Sequence, residues 1–299
     1  GTAIGTSAMR ALPVGVPKVM VSTVASGDTR TYVGAKDIAM LYSVVDVAGI
    51  NRISAAILTN AAGAVVGMVE AEPPKIEEKP IITASMFGNT TALVDRARKQ
   101  LEEAGYEVLV FHATGSGGQT MESLIADGFV QGVFDVTTTE WADELCGGVF
   151  AAGRERLDAA ARAGVPQVIA PGCLDMVNFG ERASVPEKFV SRLFYQHNPQ
   201  VTLMRTTPEE CAQLGRILAE KVNAYTAPVT VLLPTRAISV ISAPGKPFHD
   251  PAADAALFEA IKSNLRPDIP VIEMDCEINS PDFAAACAQA LLNNLKAAS

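Results

Sequence analysis

The chain has 299 residues, of which 48% are hydrophobic and 6% aromatic, enough material for one large domain or two modest ones with a buried core. It carries 24 basic and 33 acidic residues, for a formal charge of −9. This acidic balance argues against nucleic acid as the main partner, although a single phosphate site needs only local donors.

Residues 1–75 predict an incomplete βαβ unit. The first 13 residues are typical of a helix that ends at a proline, and residues 18–24 form a β-branched run typical of a strand. Residues 38–47 are ambiguous between strand and helix, whereas residues 51–68 predict a helix with Asn51 as N-cap. Because no strand precedes the first helix, we expect upstream sequence that this chain lacks. A homodimer or an N-terminal companion fragment would then cover the exposed sheet edge.

Residues 76–299 predict a second unit, which follows a linker rich in proline and charge. Strands are predicted at 80–84, 107–111, 131–136, 166–170, 229–233 and 270–274. Helices are predicted at 90–104, 119–127, 151–163, 208–224, 252–264 and 281–296. Short strands without polar alternation, separated by helices, indicate a parallel sheet covered on both faces. The fold class is therefore α/β.

A glycine-dense loop follows the second strand of this unit, with Gly115, Gly117 and Gly118 leading into Gln119 and Thr120. A strand that turns into a helix leaves free N–H groups, and these attract phosphate or carboxylate. The alternative is a tight turn that needs glycine only for a positive φ. The loop lacks G-K-[ST], and a threonine stands where the last glycine of G-x-G-x-x-G would be.

The first strand of the unit is followed by polar residues that enter a helix: Ser85, Gly88, Asn89 and Thr90. Ligands of parallel α/β sheets bind beyond the carboxyl ends of the strands. These hydroxyl, amide and glycine groups could hold phosphate there, or they could simply cap the helix. We keep them as candidate nucleotide contacts.

Two carboxylates follow the third strand, Asp135 and Glu140. They are candidates for an acid/base role or for Mg²⁺, which prefers one or two carboxylates together with phosphate oxygens. Alternatively, Thr139 caps the next helix and Glu140 belongs to its first turn. Asp135 also lies about 20 residues after the glycine loop, where a dinucleotide-binding fold places its ribose-binding acid.

The fourth strand leads into PGCLDMVNFG, residues 171–180, which we predict to be a functional loop that shapes a second ligand's pocket. Gly172 and Asn178 are candidate binding residues, and Asp175 is a candidate catalytic residue. Cys173 is more typical of a buried thiol than of a nucleophile, because no base is adjacent. His197 is a candidate general base, although a lone histidine is more often structural.

The cysteines and the hydropathy favour a cytoplasmic protein. The five cysteines are scattered and form no C-x-x-C pair, as is typical of reduced thiols. No stretch approaches about 20 uninterrupted apolar residues, so we expect no membrane span.

Several strings resemble the Tm-one-like ATP-binding family, which includes a plant inhibitor of tobamovirus RNA replication. They are ASMFGNTT, DVTTTEWADELCGG, PGCLDMVNFG, QHNPQVTLMRTT and SAPGKPFHDPAADAALFEAI. The resemblance covers essentially the whole chain, and it implies two Rossmann-like subdomains, ATP binding and a TIM-barrel partner. It also implies family sequence upstream of residue 1, so we expect the first subdomain to be incomplete.

These observations lead to three functional hypotheses. The first is an ATP-binding protein of unknown reaction, with the nucleotide, and Mg²⁺ where it is needed, at glycine-rich strand-to-helix loops in the cleft between subdomains. The second is an NAD(P)-dependent oxidoreductase. The third is a non-enzymatic regulatory or inhibitory module. An unidentified small molecule is expected as a further ligand.

Overall fold

The computed structural model describes residues 1–298 and divides the chain into two compact units, Gly1–Glu78 and Lys79–Ser299. The elements of the first unit are α1 (Thr2–Arg10), β1 (Val19–Ser22), α2 (Arg30–Val33), β2 (Ala39–Tyr42) and α3 (Arg52–Glu70). β1 and β2 form a two-stranded parallel sheet. The ambiguous segment therefore contains a short strand.

The predicted N-cap of α3 is confirmed. The Asn51 side chain accepts hydrogen bonds from the backbone N–H groups of Ile53 and Ser54, and the Ser54 hydroxyl accepts one from the Asn51 N–H. This reciprocal capping box satisfies donors that the first helical turn leaves unpaired.

α3 is apolar and largely exposed. Ile53 is 51% exposed and Val69 is 69% exposed, while the buried residues of the helix are Ser54 and Ala61. By length and composition the helix could cross a membrane, with a mean hydropathy of 1.5 and 11% of its most apolar stretch buried. One helix of this kind is weak evidence, so it does not by itself assign α3 to a membrane.

The second unit holds nine strands and seven helices among its described residues. The strands are β3 (Ile81–Met86), β4 (Glu107–His112), β5 (Val130–Thr137), β6 (Gln167–Gly172), β7 (Met176–Phe179), β8 (Phe194–Asn198), β9 (Val201–Arg205), β10 (Val229–Pro234) and β11 (Val271–Met274). The helices are α4 (Thr91–Glu103), α5 (Ser116–Ala126), α6 (Glu140–Cys146), α7 (Ala159–Ala163), α8 (Pro208–Asn223), α9 (Pro251–Asn264) and α10 (Pro281–Ala298).

Six strands form one parallel sheet in the order β11-β10-β6-β5-β3-β4. All six predicted strands are confirmed. Consecutive residues face opposite apolar clusters: Val133 packs into the cluster with α5, α8 and α9, and Phe134 packs into the cluster with α4 and α10. Both faces are covered, which explains the missing polar alternation. The chain is thus an α/β protein with parallel sheets flanked by helices.

Three local predictions need correction. PGCLDMVNFG is not a loop throughout, because it contains β7, which pairs with β9 in a three-stranded antiparallel sheet with β8. The helix predicted at 151–163 is reduced to α7, since Gly153 and Leu157 adopt positive φ of 87° and 76°, which interrupts a right-handed helix. The Thr139 side chain makes no cap hydrogen bond, although the short helix α6 begins directly after it and Glu140 lies in the first turn, as the alternative interpretation predicted.

Candidate functional site

A cavity of about 440 Å³ lies in the second unit, beyond the carboxyl ends of β3 and β4. The loop after β3, the loop after β4 and the β8–β9 hairpin supply most of its wall. We call it the aromatic pocket, and its lining residues are Phe87, Gly88, Asn89, His112, Thr114, Phe150, Tyr195, His197, Asn198, Val201, Leu203, Val240 and Ile241.

Aromatic rings line one side of this pocket. The Phe87 ring centroid lies 5.3 Å from that of His112 and 6.2 Å from that of Phe150, the latter pair edge to face. Such offset arrangements are favourable for aromatic pairs. None of the lining residues is Asp, Glu, Lys or Arg. The pocket therefore suits an uncharged planar ring with polar edges.

The β3–α4 loop presents Gly88 and Asn89 to the pocket. A Cβ added at Gly88 would meet nothing within 4 Å, so this glycine borders open space. The loop is held by Asn279, whose amide donates to the Asn89 carbonyl at 2.8 Å and whose oxygen accepts from the Leu93 N–H at 3.0 Å. The geometry brings the predicted residues Gly88 and Asn89 into one site.

Ser85 and Thr90 lie beneath this loop. Both are buried. The Ser85 hydroxyl donates to Asp135 at 2.7 Å, and the Thr90 and Thr137 hydroxyls lie 2.8 Å apart. These two predicted nucleotide contacts support the loop instead of lining the pocket.

The glycine loop after β4 is closed by an internal carboxylate. Oε1 of Glu140 accepts hydrogen bonds from the N–H groups of Gly115 at 2.7 Å and Gly118 at 3.1 Å. A Cβ added at Gly117 would overlap the His112 carbonyl oxygen, and one at Gly118 would overlap the Glu140 carboxylate. Two of the N–H groups that we expected to be free for phosphate, those of Gly115 and Gly118, are therefore already occupied.

The two residues after these glycines are also bonded within the fold. The Gln119 amide donates to the Ala152 carbonyl at 3.3 Å, and the Thr120 hydroxyl donates to the Ser116 carbonyl at 2.8 Å. Neither lines the aromatic pocket. The positive φ of 81° at Gly115 fits the turn interpretation, whereas Gly117 and Gly118 are required by close contacts with neighbouring atoms and not by a positive φ.

A buried ionic network surrounds Arg156, a residue that sequence reasoning missed. Its guanidinium forms a two-point pair with Asp135 and contacts Glu140 at 2.7 Å and Glu122 at 3.2 Å. Burial raises the pKa of Glu122 and Glu140, against the lowering effect of the nearby Arg156 charge. The geometry favours a structural role for the two predicted carboxylates, because both already pair with a cation.

A metal site is not evident in this region. Among residues 1–298, no group of three or more His, Cys, Asp or Glu side chains has the geometry to hold a metal ion. Asp135 is 1% exposed, so its carboxylate is also not open to the hydroxyls of a ribose. The magnesium and ribose-acid hypotheses consequently gain no support from these side chains.

The PGCLDMVNFG segment lies behind the pocket, with residues 171–179 all buried. Asp175 accepts a hydrogen bond from the Ser239 hydroxyl at 2.7 Å, and burial raises the pKa of its carboxyl. Asn178 donates to Asp143 through its backbone N–H at 2.7 Å and its amide at 3.2 Å. A Cβ at Gly172 would overlap the Val136 carbonyl oxygen. None of the three predicted residues of this segment lines the pocket.

His197 is an exposed residue of β8 that lines the pocket. Tyr195, two positions earlier, lies beside it in the same wall, as the alternation of a strand requires. Tyr195 and Phe150 were not among the residues predicted from the sequence. The spacing of Tyr195 to His197 in YQHNPQ could have identified the first, whereas Phe150 carries no local signal.

Comparisons with known proteins agree with the division into two units. The family model for the N-terminal domain of an uncharacterised protein family (UPF0261) matches residues 1–74, and the model for its C-terminal domain matches residues 79–295. Because both models match, the expectation that the family's N-terminal part is missing is not supported.

Two relatives and one solved structure illustrate the range of similarity. A protein of Clostridium tetani is 53% identical over 99% of this chain and 74% of its own length. The ToMV resistance protein Tm-1(GCR237) of Solanum lycopersicum is 43% identical over 98% of this chain and 40% of its own length. A thioesterase domain from the curacin biosynthetic pathway aligns with 72% of this chain and 91% of its own, at 12% identity with a TM-score of 0.33. That similarity is too low to support an argument.

Proposed function

The chain belongs to the uncharacterised protein family UPF0261, and from that premise and the aromatic pocket we propose that it binds a nucleotide, with ATP as the first candidate. The observation that carries the proposal is the composition of the pocket. Phe87, Phe150 and Tyr195 supply aromatic surface for a base, and Asn89 and Asn198 supply amides for its polar edge. Stacking on aromatic side chains is a general way to hold a base.

The phosphates are proposed to lie beside the β3–α4 loop instead of the glycine loop. Gly88 leaves open space there, and the 13-residue helix α4 begins directly after this loop. The N-terminus of a helix favours negative charge. At α5 the Glu140 carboxylate accepts from two such N–H groups, whereas at α4 a neutral amide oxygen, that of Asn279, accepts from the Leu93 N–H.

Among the three hypotheses, the pocket favours binding without turnover. No carboxylate lines it, and carboxylates in the cleft were the feature expected of an ATP-consuming enzyme. The oxidoreductase alternative has less support, because Asp135 is ion-paired with Arg156. The resistance protein named above is compatible with a regulatory or inhibitory role for relatives of this chain.

Other elements of the prediction remain proposals. Mg²⁺ would reach the site through the phosphates of ATP, since this ion commonly keeps several waters and binds substrate phosphates. All five cysteines are free, which is compatible with a cytoplasmic location. A second small-molecule ligand, a homodimer and a TIM-barrel partner are retained as hypotheses.

Calorimetric titration with ATP, adenosine and NADH tests the proposal. We expect ATP to bind the parent protein, and His197→Ala to weaken binding about tenfold. His249→Ala is the matched control, because His249 is also exposed but lines a different cavity. Failure of ATP to bind, or equal losses in both variants, would refute the site. Phosphate release above that of the buffer would refute binding without turnover.

A further inference from the structure

We infer that Asp143 is a positioning residue for the aromatic pocket, because its buried side chain holds Phe150 in the pocket wall. Asp143 lies on α6, and it is fully buried and outside the pocket. Its effect on a ligand would therefore be transmitted through Phe150. This inference rests on the proposed function for its consequence on binding, whereas the placement of Phe150 is tested without a ligand.

Both carboxyl oxygens of Asp143 are used. Oδ2 accepts from the backbone N–H of Phe150 at 2.7 Å. Oδ1 accepts from the backbone N–H of Asn178 at 2.7 Å and from its amide at 3.2 Å. A buried N–H group that loses its acceptor pays the full cost of its desolvation. One side chain thus joins the segment that carries Phe150 to β7.

The backbone around Phe150 is shaped to approach this carboxyl group. Gly147 ends α6 in the left-handed conformation, and the N–H groups of Gly147 and Gly148 both donate to the Asp143 carbonyl at 2.8 Å. A Cβ added at Gly148 would overlap the Asp143 carboxyl group. The Val149 N–H donates to the Asn178 carbonyl at 2.8 Å. Hydrogen bonds therefore fix the backbone at every residue from Gly147 to Phe150.

The ring of Phe150 then contacts the other aromatic side chains. It packs edge to face on Phe87, which in turn lies against His112. All three line the pocket. A shift of the Phe150 backbone would therefore change the width of the pocket where a base is proposed to stack.

This connection gives Asn178 an indirect role. Asn178 belongs to PGCLDMVNFG, which the sequence marked as functional, yet it lies outside the pocket. Through Asp143 it supports the pocket wall from behind. The segment therefore acts on the site by holding its framework, without touching the ligand.

Asp143→Asn is the direct test, because an amide offers one acceptor oxygen where the carboxylate offers two. We expect amide hydrogen exchange at Phe150, measured by NMR without ligand, to be about tenfold faster or more, as loss of the acceptor of a buried N–H implies. The matched control is Glu144→Gln, the next residue on α6, whose carboxylate contacts Arg154 at 3.8 Å. It should leave Phe150 exchange unchanged.

A double-mutant cycle with ATP supplies the second measurement. Phe150→Ala and Asp143→Asn should each raise the Kd about tenfold. The double variant should bind no more weakly than Phe150→Ala alone, because Asp143 acts only through that ring. Additive losses would overturn the inference, since a general structural defect adds to the loss of the ring.

The remaining outcomes are equally decisive. If amide exchange at Phe150 is unchanged in Asp143→Asn, Asp143 does not hold Phe150 in place. If exchange is faster but ATP affinity is parental, the position of Phe150 does not affect ATP binding. If the parent protein does not bind ATP, the proposed function fails while the exchange experiment still tests the placement. If Asp143→Asn does not fold, Gly148→Ala displaces the same segment from the opposite side and should produce the same accelerated exchange.

Discussion

Two strand-to-helix loops at one edge of the six-stranded sheet use glycine for different reasons. In the β4–α5 loop, Gly117 and Gly118 allow the chain to approach the His112 carbonyl and the Glu140 carboxylate. In the β3–α4 loop, Gly88 borders open space at the aromatic pocket. The first loop is closed by the protein's own carboxylate, and the second remains open to a ligand.

The contrast shows that glycine density does not by itself identify a phosphate site. Backbone N–H groups at a helix start bind an anion, but the anion can be an internal side chain. Here the anion is Glu140, which Arg156 holds in place from its other side. The nearby loop with a single glycine is the one that the geometry leaves accessible.

The largest expected effect comes from Arg156→Met, which removes the cation behind the closed loop. Glu122, Asp135 and Glu140 would then lie close together without their shared cation. The free energy of unfolding should therefore fall by about 3–5 kcal/mol. Urea unfolding measures this loss. Arg162→Met is the control, since its side chain is 66% exposed in a pair with Asp158; it should cost at most about 1 kcal/mol. Similar losses in both variants would mean that the buried network does not stabilise the closed loop.

Gly117→Ala should cost about 1–3 kcal/mol, because the added methyl group overlaps the His112 carbonyl oxygen and the tightly packed loop must move. Gly88→Ala is the paired substitution at the open loop and should change stability by no more than about 0.5 kcal/mol. Thermal unfolding of the two variants compares them directly. If Gly117→Ala kept the parental stability but bound ATP more weakly, the result would favour the glycine loop as the phosphate site over the β3–α4 loop.

The pH dependence at Asp143 is expected to be comparable in size to the effect of Gly117→Ala. Burial raises the pKa of this carboxyl from 3.8 to about 7, although three N–H donors oppose the shift. The folded state therefore binds a proton more tightly than the unfolded state, so this contribution to stability is lost as pH rises from about 4 to about 7. Between pH 5 and pH 8 it amounts to on the order of 2 kcal/mol.

Urea unfolding of the parent and of Asp143→Asn at these two pH values measures the contribution. The decrease in stability from pH 5 to pH 8 should be smaller in the variant. Asp254, with a pKa raised by burial to about 6, contributes in the same direction in both proteins and cancels in the comparison. Equal decreases would show that Asp143 does not titrate in this range.

Much of the second unit could be predicted because its elements carry local signals. The six parallel strands are short apolar runs whose consecutive residues face two clusters, as Val133 and Phe134 do. Two helix starts also carry local signals: Thr207 forms a capping box with Glu210, and Asp250 accepts from two N–H groups of α9. Capping and hydrophobic pattern act within a few residues, so sequence proximity suffices.

The antiparallel sheet and the polar partners could not be predicted in the same way. β7 is a strand because Met176 to Phe179 pair with Thr202 to Arg205, a contact between distant segments. Residues 151–158 depart from a helix at positions such as Leu157, whose positive φ has no signal in its side chain. Strand pairing overrides local propensity in the first case. In the second, distant side chains hold the backbone, since the Leu157 N–H donates to Glu122 and the Leu157 carbonyl accepts from the Tyr225 hydroxyl.

The sequence by itself determined the α/β class, the order of the parallel strands along the chain and the sheet edge at which the aromatic pocket lies, because these follow from periodicity and from the topology of parallel sheets. Only the tertiary structure decided which polar groups are free at that edge. Glu140 reaches Gly115 from 25 residues away, and Arg156 gathers carboxylates from three elements. A buried charge binds whichever partner the fold brings within hydrogen-bonding distance, and that distance is a property of three-dimensional packing.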